Sequence, residues 1–365
     1  MGDASLIGHL SGQLDRLCRV AGLDPATAQA LLADLLGSAG SSLVADGPVW
    51  LSDVADDHTP VEFSIAFDAD GRLTVRVLGE ALSSDINTDT LLPIAYAFLR
   101  AQSTRFDLAM PLFERVQDLF AKPNPDIGFA LWHSLVFRHD GRTEFKVYFN
   151  PEIGGQEQAP ELVAEALQRL GLGTSYRDLL ERTMRPGELG RRDRLAFFAL
   201  DLHDGPHARV KVYVSHYDAG IPDVLRAASV VDGVDLDTLA EFCSTAGGGR
   251  DRFDGRPLVS SYTFLAGADG PLGYSLYVPI RSYVNDDAEA RSRVMALLDR
   301  HGFDSVALDR AIDAVAGRPL ADGVGLIAHV SLRLGPPRPG ITVYLSAEAY
   351  QVGPAASAVS ARTKE

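Results

Sequence analysis

Five short segments of this chain repeat one strand pattern at nearly constant spacing: LTVRV at 73–77, FKVYF at 145–149, VKVYV at 210–214, YSLYV at 274–278 and ITVYL at 341–345. With Arg76, Tyr148, Tyr213, Tyr277 and Tyr344 as markers, the steps are 72, 65, 64 and 67 residues. A fixed period of this kind means one supersecondary unit used five times. Side chains alternate sides along a strand, so the pattern also sets two faces. One face is apolar at every position, for example Leu73, Val75 and Val77 or Val210, Val212 and Val214. The other carries Thr74 and Arg76, Lys146 and Tyr148, Lys211 and Tyr213, Ser275 and Tyr277, Thr342 and Tyr344.

Each marked strand follows an apolar-rich partner at 61–67, 130–137, 195–202, 258–265 or 326–334, across a turn rich in Asp-Gly or Pro-Gly. Such turns between alternating runs are hairpin signals, giving five hairpins and ten antiparallel strands. Helical periodicity fills 5–37, 88–121, 159–184, 221–245 and 287–315, each with room for two helices. The expected architecture is α/β in the α+β sense: five ααββ repeats whose strands close into a barrel ringed by helices. Closure removes sheet edges. The helices need the apolar face, so the polar face must line the lumen. An open half-polar sheet under a helical layer is the alternative, and it leaves edges unpaired. The barrel domain is expected over 1–352, with a small, polar, disordered tail at 353–365.

Composition narrows the function. With a net charge of −15 over 365 residues, the surface repels nucleic acid and anionic membranes, so neither is an expected partner. No apolar run reaches the roughly 18 residues of a membrane helix, and no secretory signal is visible. Two cysteines, Cys18 and Cys243, form no disulfide framework and fit the reducing cytoplasm. Against this acidic background the strands concentrate Arg76, Lys146, Arg209 and Lys211 on the lumen face. Enclosed like charges call for an anion, and a diphosphate offers the charge and the acceptor oxygens. Pairing with lumen carboxylates such as Glu62 or Glu144 is the plainer account. Tyr148, Tyr213, Tyr277 and Tyr344 share one repeat position and should form a belt beside the cations. Aromatic faces stabilise a desolvated cation by roughly 0.5–2 kcal/mol each and exclude water from it. Glu62 is the one carboxylate on the inner face of 61–65, suited to accept a substrate N–H or to pair with Arg76. His133 is a candidate acid or base, or a buried structural histidine. There is no phosphate-binding glycine loop, no Cys-x-x-Cys pair and no aspartate-rich diphosphate–metal motif, so no cofactor or Mg²⁺ is expected.

The motifs TPVEFS at 59–64, KVYFNP at 146–151, RVKVY at 209–213, SLYVP at 275–279 and TVYLS at 342–346 resemble, in order and spacing, the indole prenyltransferases of the dimethylallyltryptophan synthase family. The compact length is similar to that of bacterial members. The resemblance implies the ABBA prenyltransferase barrel. It implies transfer of a dimethylallyl group from its diphosphate to the indole of L-tryptophan by electrophilic aromatic substitution, without a metal. It also implies small-molecule substrates as partners and a monomer or homodimer. By the same resemblance Arg76, Lys146, Arg209 and Lys211 are diphosphate ligands. Ser275 stands where the family often has Gln. Tyr148, Tyr213, Tyr277 and Tyr344 shield the dimethylallyl cation, and Glu62 receives the indole N–H. His133 falls where relatives commonly have a lysine base, and Arg194 approaches the amino-acid carboxylate. Other indole or phenol acceptors, and a non-catalytic barrel carrying an anionic amphiphile, remain as alternatives. A carrier has no need of a cation shield.

Overall fold

The computed structural model describes residues 4–68, 70–121, 129–173, 176–205, 208–335 and 339–356. Ten strands form the barrel: β1 (Val61–Phe67), β2 (Leu73–Gly79), β3 (Leu131–Phe137), β4 (Thr143–Phe149), β5 (Arg194–Asp201), β6 (Arg209–His216), β7 (Leu258–Leu265), β8 (Gly273–Val278), β9 (Ile327–Leu334) and β10 (Gly340–Ser346). Every neighbour in the chain is an antiparallel neighbour in space, and β1 pairs with β10 to close the ring. The expected architecture is therefore the observed one.

Local chemistry explains the elements. The β1–β2 and β3–β4 turns place Gly71 and Gly141 at φ 76° and 79°, a conformation that L side chains rarely adopt. In both, an aspartate side chain accepts from the backbone two residues on: Asp70 from Arg72 N (3.0 Å) and Asp140 from Arg142 N (3.1 Å). Positions 69, 206 and 336–338 of three turns lie outside the described residues. Some helices start on side-chain caps. Asp235, Asp286 and Asp304 accept from Thr238 N, Glu289 N and Val306 N at 2.9–3.0 Å, a contact worth about 1 kcal/mol.

The helical ring comprises α1 (Leu6–Val20), α2 (Ala26–Leu36), α3 (Leu91–Phe106), α4 (Met110–Glu114), α5 (Ala159–Arg169), α6 (Tyr176–Thr183), α7 (Gly187–Arg192), α8 (Ile221–Ala228), α9 (Leu236–Gly247), α10 (Asp287–Arg300) and α11 (Ser305–Val315). The short α7 is additional to the expected pairs. The core is the annulus between helices and barrel: Phe63, Val75, Val147, Val212, Leu276 and Val343 are fully buried there against helical residues such as Leu35, Leu167, Phe242 and Leu308. Gly79 permits the closest approach, since a Cβ there would meet Leu35 Cδ2 at 2.6 Å. The expected tail needs one correction. Gly353–Pro354 pairs with Gly323–Val324, and Ala356 N donates to Asn285 O (2.9 Å), so these backbone hydrogen bonds tie its first residues to the fold. Residues 357–365 lie outside the described residues.

Candidate active site

The lumen has a cationic floor. Arg76, Lys146, Arg209, Lys211 and Ser275 line one cavity of about 70 Å³, joined by Arg138 and Arg333. Three carboxylates hold most of these cations in place. Asp201 Oδ1 lies 3.0 Å from Lys146 Nζ, and its Oδ2 accepts from Arg209 Nε (2.6 Å). Glu144 takes both arms of Arg138 at 2.8 Å, and Asp68 accepts from Arg333 at 2.7 Å. Among the described residues, Arg76 and Lys211 have no ion pair, and the buried Nε of Arg76 has no hydrogen-bond partner. Burial, then Lys146 and Arg209, push the Lys211 ammonium well below the usual lysine range. Burial also lowers Lys146 to about 8, although Asp201 acts the other way. Lys146 and Arg209 thus act against the charge on Lys211, an opposition that an anion among them would relieve.

The four tyrosines line the same cavity and touch in sequence. Ring centroids are 5.8 Å apart for Tyr148–Tyr213, 5.8 Å for Tyr213–Tyr277 and 5.9 Å for Tyr277–Tyr344. Lys146, Lys211, Ser275 and Thr342 each stand two residues before a belt tyrosine, so the belt lies one inward step from them. Phe197 packs edge-on against Tyr148 and Tyr213, with Trp132 and Phe129 behind it, so the wall beside the belt is aromatic.

Beyond the belt a second cavity, of about 260 Å³, opens towards the mouth, where Asp56, Glu62, Arg256, Arg281 and Glu348 converge. Glu62 is buried, and loss of solvent pushes its carboxyl up to about 8, against the pull of Arg281. His329 of β9 lies 3.8 Å from Glu62 and edge-on to Tyr344. Arg281 Nη1 sits 3.0 Å from His329 Nδ1 and 3.2 Å from Nε2, so the imidazole accepts from the guanidinium through one of its ring nitrogens. Burial, then Arg281 and Arg256, hold the imidazole well below its usual range. Arg281 is itself fixed by Asp56, which accepts from Nε (2.8 Å) and Nη2 (3.1 Å).

One sequence expectation is corrected here. His133 does not face the lumen: it shares the outer face of β3 with Leu131, Leu135 and Phe137, and its ring packs on Phe98 of α3 at 4.8 Å. Among the described residues neither ring nitrogen has a hydrogen-bond partner, and burial lowers it to about 3, so it is a neutral packing residue. Arg194, at the start of β5, is held by both oxygens of Glu152, and the two arginines that line the mouth cavity are Arg256 and Arg281. Sequence reasoning missed His329, Arg138, Arg333 and Asp201. The alternation of Val330, Leu332 and Leu334 on the outer face would have placed His329 and Arg333 in the lumen.

A polar-lined antiparallel barrel with a cationic floor, an aromatic belt and a buried carboxyl–imidazole pair has the layout of an aromatic prenyltransferase. The sequence profile of the tryptophan dimethylallyltransferase family matches residues 28–310, and the chain belongs to that family. It is an indole prenyltransferase that moves a dimethylallyl group onto tryptophan. Among solved structures, 6-dimethylallyltryptophan synthase from Micromonospora olivasterospora, in complex with DMASPP and Trp, is 62% identical, with 96% of this chain and 99% of that chain covered and a TM-score of 0.93. For 5-dimethylallyltryptophan synthase from Streptomyces coelicolor the values are 34%, 96%, 99% and 0.88. AnaPT from Neosartorya fischeri, at 17% identity, 94% and 92% coverage and a TM-score of 0.77, shares the fold. Among the described residues no helix is long and apolar enough to cross a membrane.

Proposed function

We propose that the floor cations bind the diphosphate of the prenyl donor, that the tyrosine belt encloses the dimethylallyl group, and that the indole enters from the Glu62–His329 side to be attacked at C6. The observation that carries the reading is the order of the parts: anion floor, aromatic belt, then the acid–base pair. Heterolysis of the allylic C–O bond leaves its electron pair on the diphosphate oxygen. The added negative charge develops against Arg76, Lys146, Arg209, Lys211, Arg138 and Arg333, with Ser275 contributing a hydroxyl. The positive charge develops on the allyl group among π faces that water cannot reach.

The indole then donates a ring π pair, and positive charge spreads to its nitrogen. Glu62 accepts the indole N–H, and its carboxylate is favoured as that charge grows. His329, whose lone pair faces Arg281, takes the proton from the arenium carbon once Arg281 turns to the amino-acid carboxylate, and loss of that proton restores aromaticity. Arg256 and Arg281 stand at the mouth, where the amino-acid carboxylate would lie. The floor supplies the charge that a divalent ion supplies elsewhere, so the reaction proceeds without metal. Attack at C6 is supported by the 62% identity to the 6-dimethylallyltryptophan synthase, against 34% to the 5-dimethylallyltryptophan synthase. NMR of the product from L-tryptophan and dimethylallyl diphosphate tests it. The expected product carries the prenyl group on C6, and attachment at any other ring position overturns the assignment.

A further inference from the structure

Asp201 is the most enclosed carboxylate of the floor, and neither the diphosphate contacts nor the transfer step accounts for it. Its side chain is 3% exposed, against 21% for Asp68 and 18% for Glu144. Those two each neutralise one arginine. Asp201 alone engages two cations, Lys146 at 3.0 Å and Arg209 at 2.6 Å. It also accepts from the Arg209 backbone N (3.2 Å), with His203 Nε2 at 3.7 Å. It thus places a negative charge where an anion is to bind. A site built only for affinity would leave this position neutral, because a fixed anion repels the ligand. The reaction explains the choice. As the C–O bond breaks, the leaving diphosphate gains a negative charge that the bound ester did not have. A floor matched to the ester therefore holds the product more tightly than the substrate.

We propose that Asp201 is a positioning residue that trims the charge of the floor so that product diphosphate can leave, while aligning Lys146 and Arg209 on the ester. This rests on the floor being the diphosphate site. Asp201→Asn keeps size and one acceptor oxygen but removes the charge. At separations of several ångströms through a partly solvated interior, that change should tighten inorganic diphosphate roughly tenfold to a hundredfold. Steady-state turnover should fall while the single-turnover rate of prenyl transfer stays within about threefold of wild type, because release becomes limiting. A purely structural role would instead weaken diphosphate and slow both rates.

The test is calorimetric titration of inorganic diphosphate into the wild type and Asp201→Asn at mildly acidic pH, with both kinetic regimes measured alongside. Equal or weaker diphosphate binding by the folded variant overturns the proposal. If that variant does not fold alone, Asp201→Asn/Lys146→Gln keeps the summed floor charge of the wild type. The double variant is expected to bind diphosphate within about threefold of wild type, and a loss of tenfold or more overturns the proposal. Lys211→Met in the same titration separates the two levels. If it leaves diphosphate affinity unchanged, the location of the site is wrong; if it weakens binding while Asp201→Asn does not tighten it, only the charge-trimming role fails.

Discussion

Replacing Lys211 by methionine should weaken the donor site and stabilise the empty protein at once. Lys211 is a buried ammonium, without an ion pair among the described residues, two residues beyond Arg209 on β6 and across β5 from Lys146 of β4, and both cations oppose its charge. With a diphosphate bound it supplies a charge-assisted contact. Its loss should cost on the order of 1.5–3 kcal/mol, or about tenfold to a hundredfold in affinity for a non-hydrolysable thiolodiphosphate. Without the anion, the same ammonium is a desolvated charge beside like charges. Methionine fills a similar volume with no charge to desolvate, and such replacements of buried charge commonly stabilise by about 1–4 kcal/mol. The pH dependence has a definite sign. The folded-state pKa of Lys211 lies below its unfolded value, so native stability is fullest above the unfolded lysine pKa and is lost as pH falls through the folded one. The gain from Lys211→Met should therefore be largest at neutral and lower pH and vanish in strong alkali. Thermal melts across that range, with titration of the thiolodiphosphate, check both signs. A variant that melts lower than wild type at neutral pH and binds the analogue equally well would refute the reasoning.

Glu62→Gln should lower turnover by about 10²–10³ with donor affinity within about twofold; a rate at saturation near wild type would reduce Glu62 to a structural acid. Because burial holds the Glu62 carboxyl near 8, kcat/KM for tryptophan should rise with pH through that region, and the rise should be absent in Glu62→Gln. His133→Leu should leave steady-state kinetics unchanged and the melting temperature equal or higher, since it removes a buried imidazole with two unpartnered nitrogens; a large drop in turnover would return His133 to the mechanism. Turnover should persist in excess EDTA, and complete loss restored by Mg²⁺ would show that the floor cations are insufficient.

The barrel was legible because the marked strands are uniform: Val75, Val147, Val212, Leu276 and Val343 occupy one repeat position and all reach the annular core. Once the helices claim that face, the opposite one has only the lumen, and all the residues expected there from the marked strands except Thr74 line the cavity. The partner strands were harder. In β3 both faces hold bulky residues, Trp132 and Val136 inward and Leu131 and Leu135 outward. Polarity alone could not place His133, and the resemblance pointed the wrong way. Bulges add a second difficulty. The register shifts between Leu195 and Phe197 and between Ile327 and His329, and each turns the strand end against the simple alternation. Arg138 was obscured by its position at a turn. Its side chain nevertheless follows Trp132, Ser134 and Val136 into the floor, because alternation continues one residue past the last ladder pair.

The floor and the mouth solve opposite electrostatic problems with one device, a charge held away from water by a partner that is not quite sufficient. In the floor the carboxylates Asp68, Glu144 and Asp201 are outnumbered by cations, so the empty site carries an excess that only an anion relieves. At the mouth Glu62 and His329 are both driven towards their neutral forms by burial. On the proposed mechanism a positive indole intermediate would favour Glu62 as carboxylate and give His329 a proton to accept. The tyrosine belt must stand between the two regions, because a carboxylate in direct contact with the floor would be captured by Arg76 and lost to the acceptor. Ser64 occupies the cross-strand position opposite Arg76, while Glu62 sits one inward step further towards the mouth, opposite Leu78. That single step of the pleat keeps the acid of the acceptor side apart from the cations of the donor side.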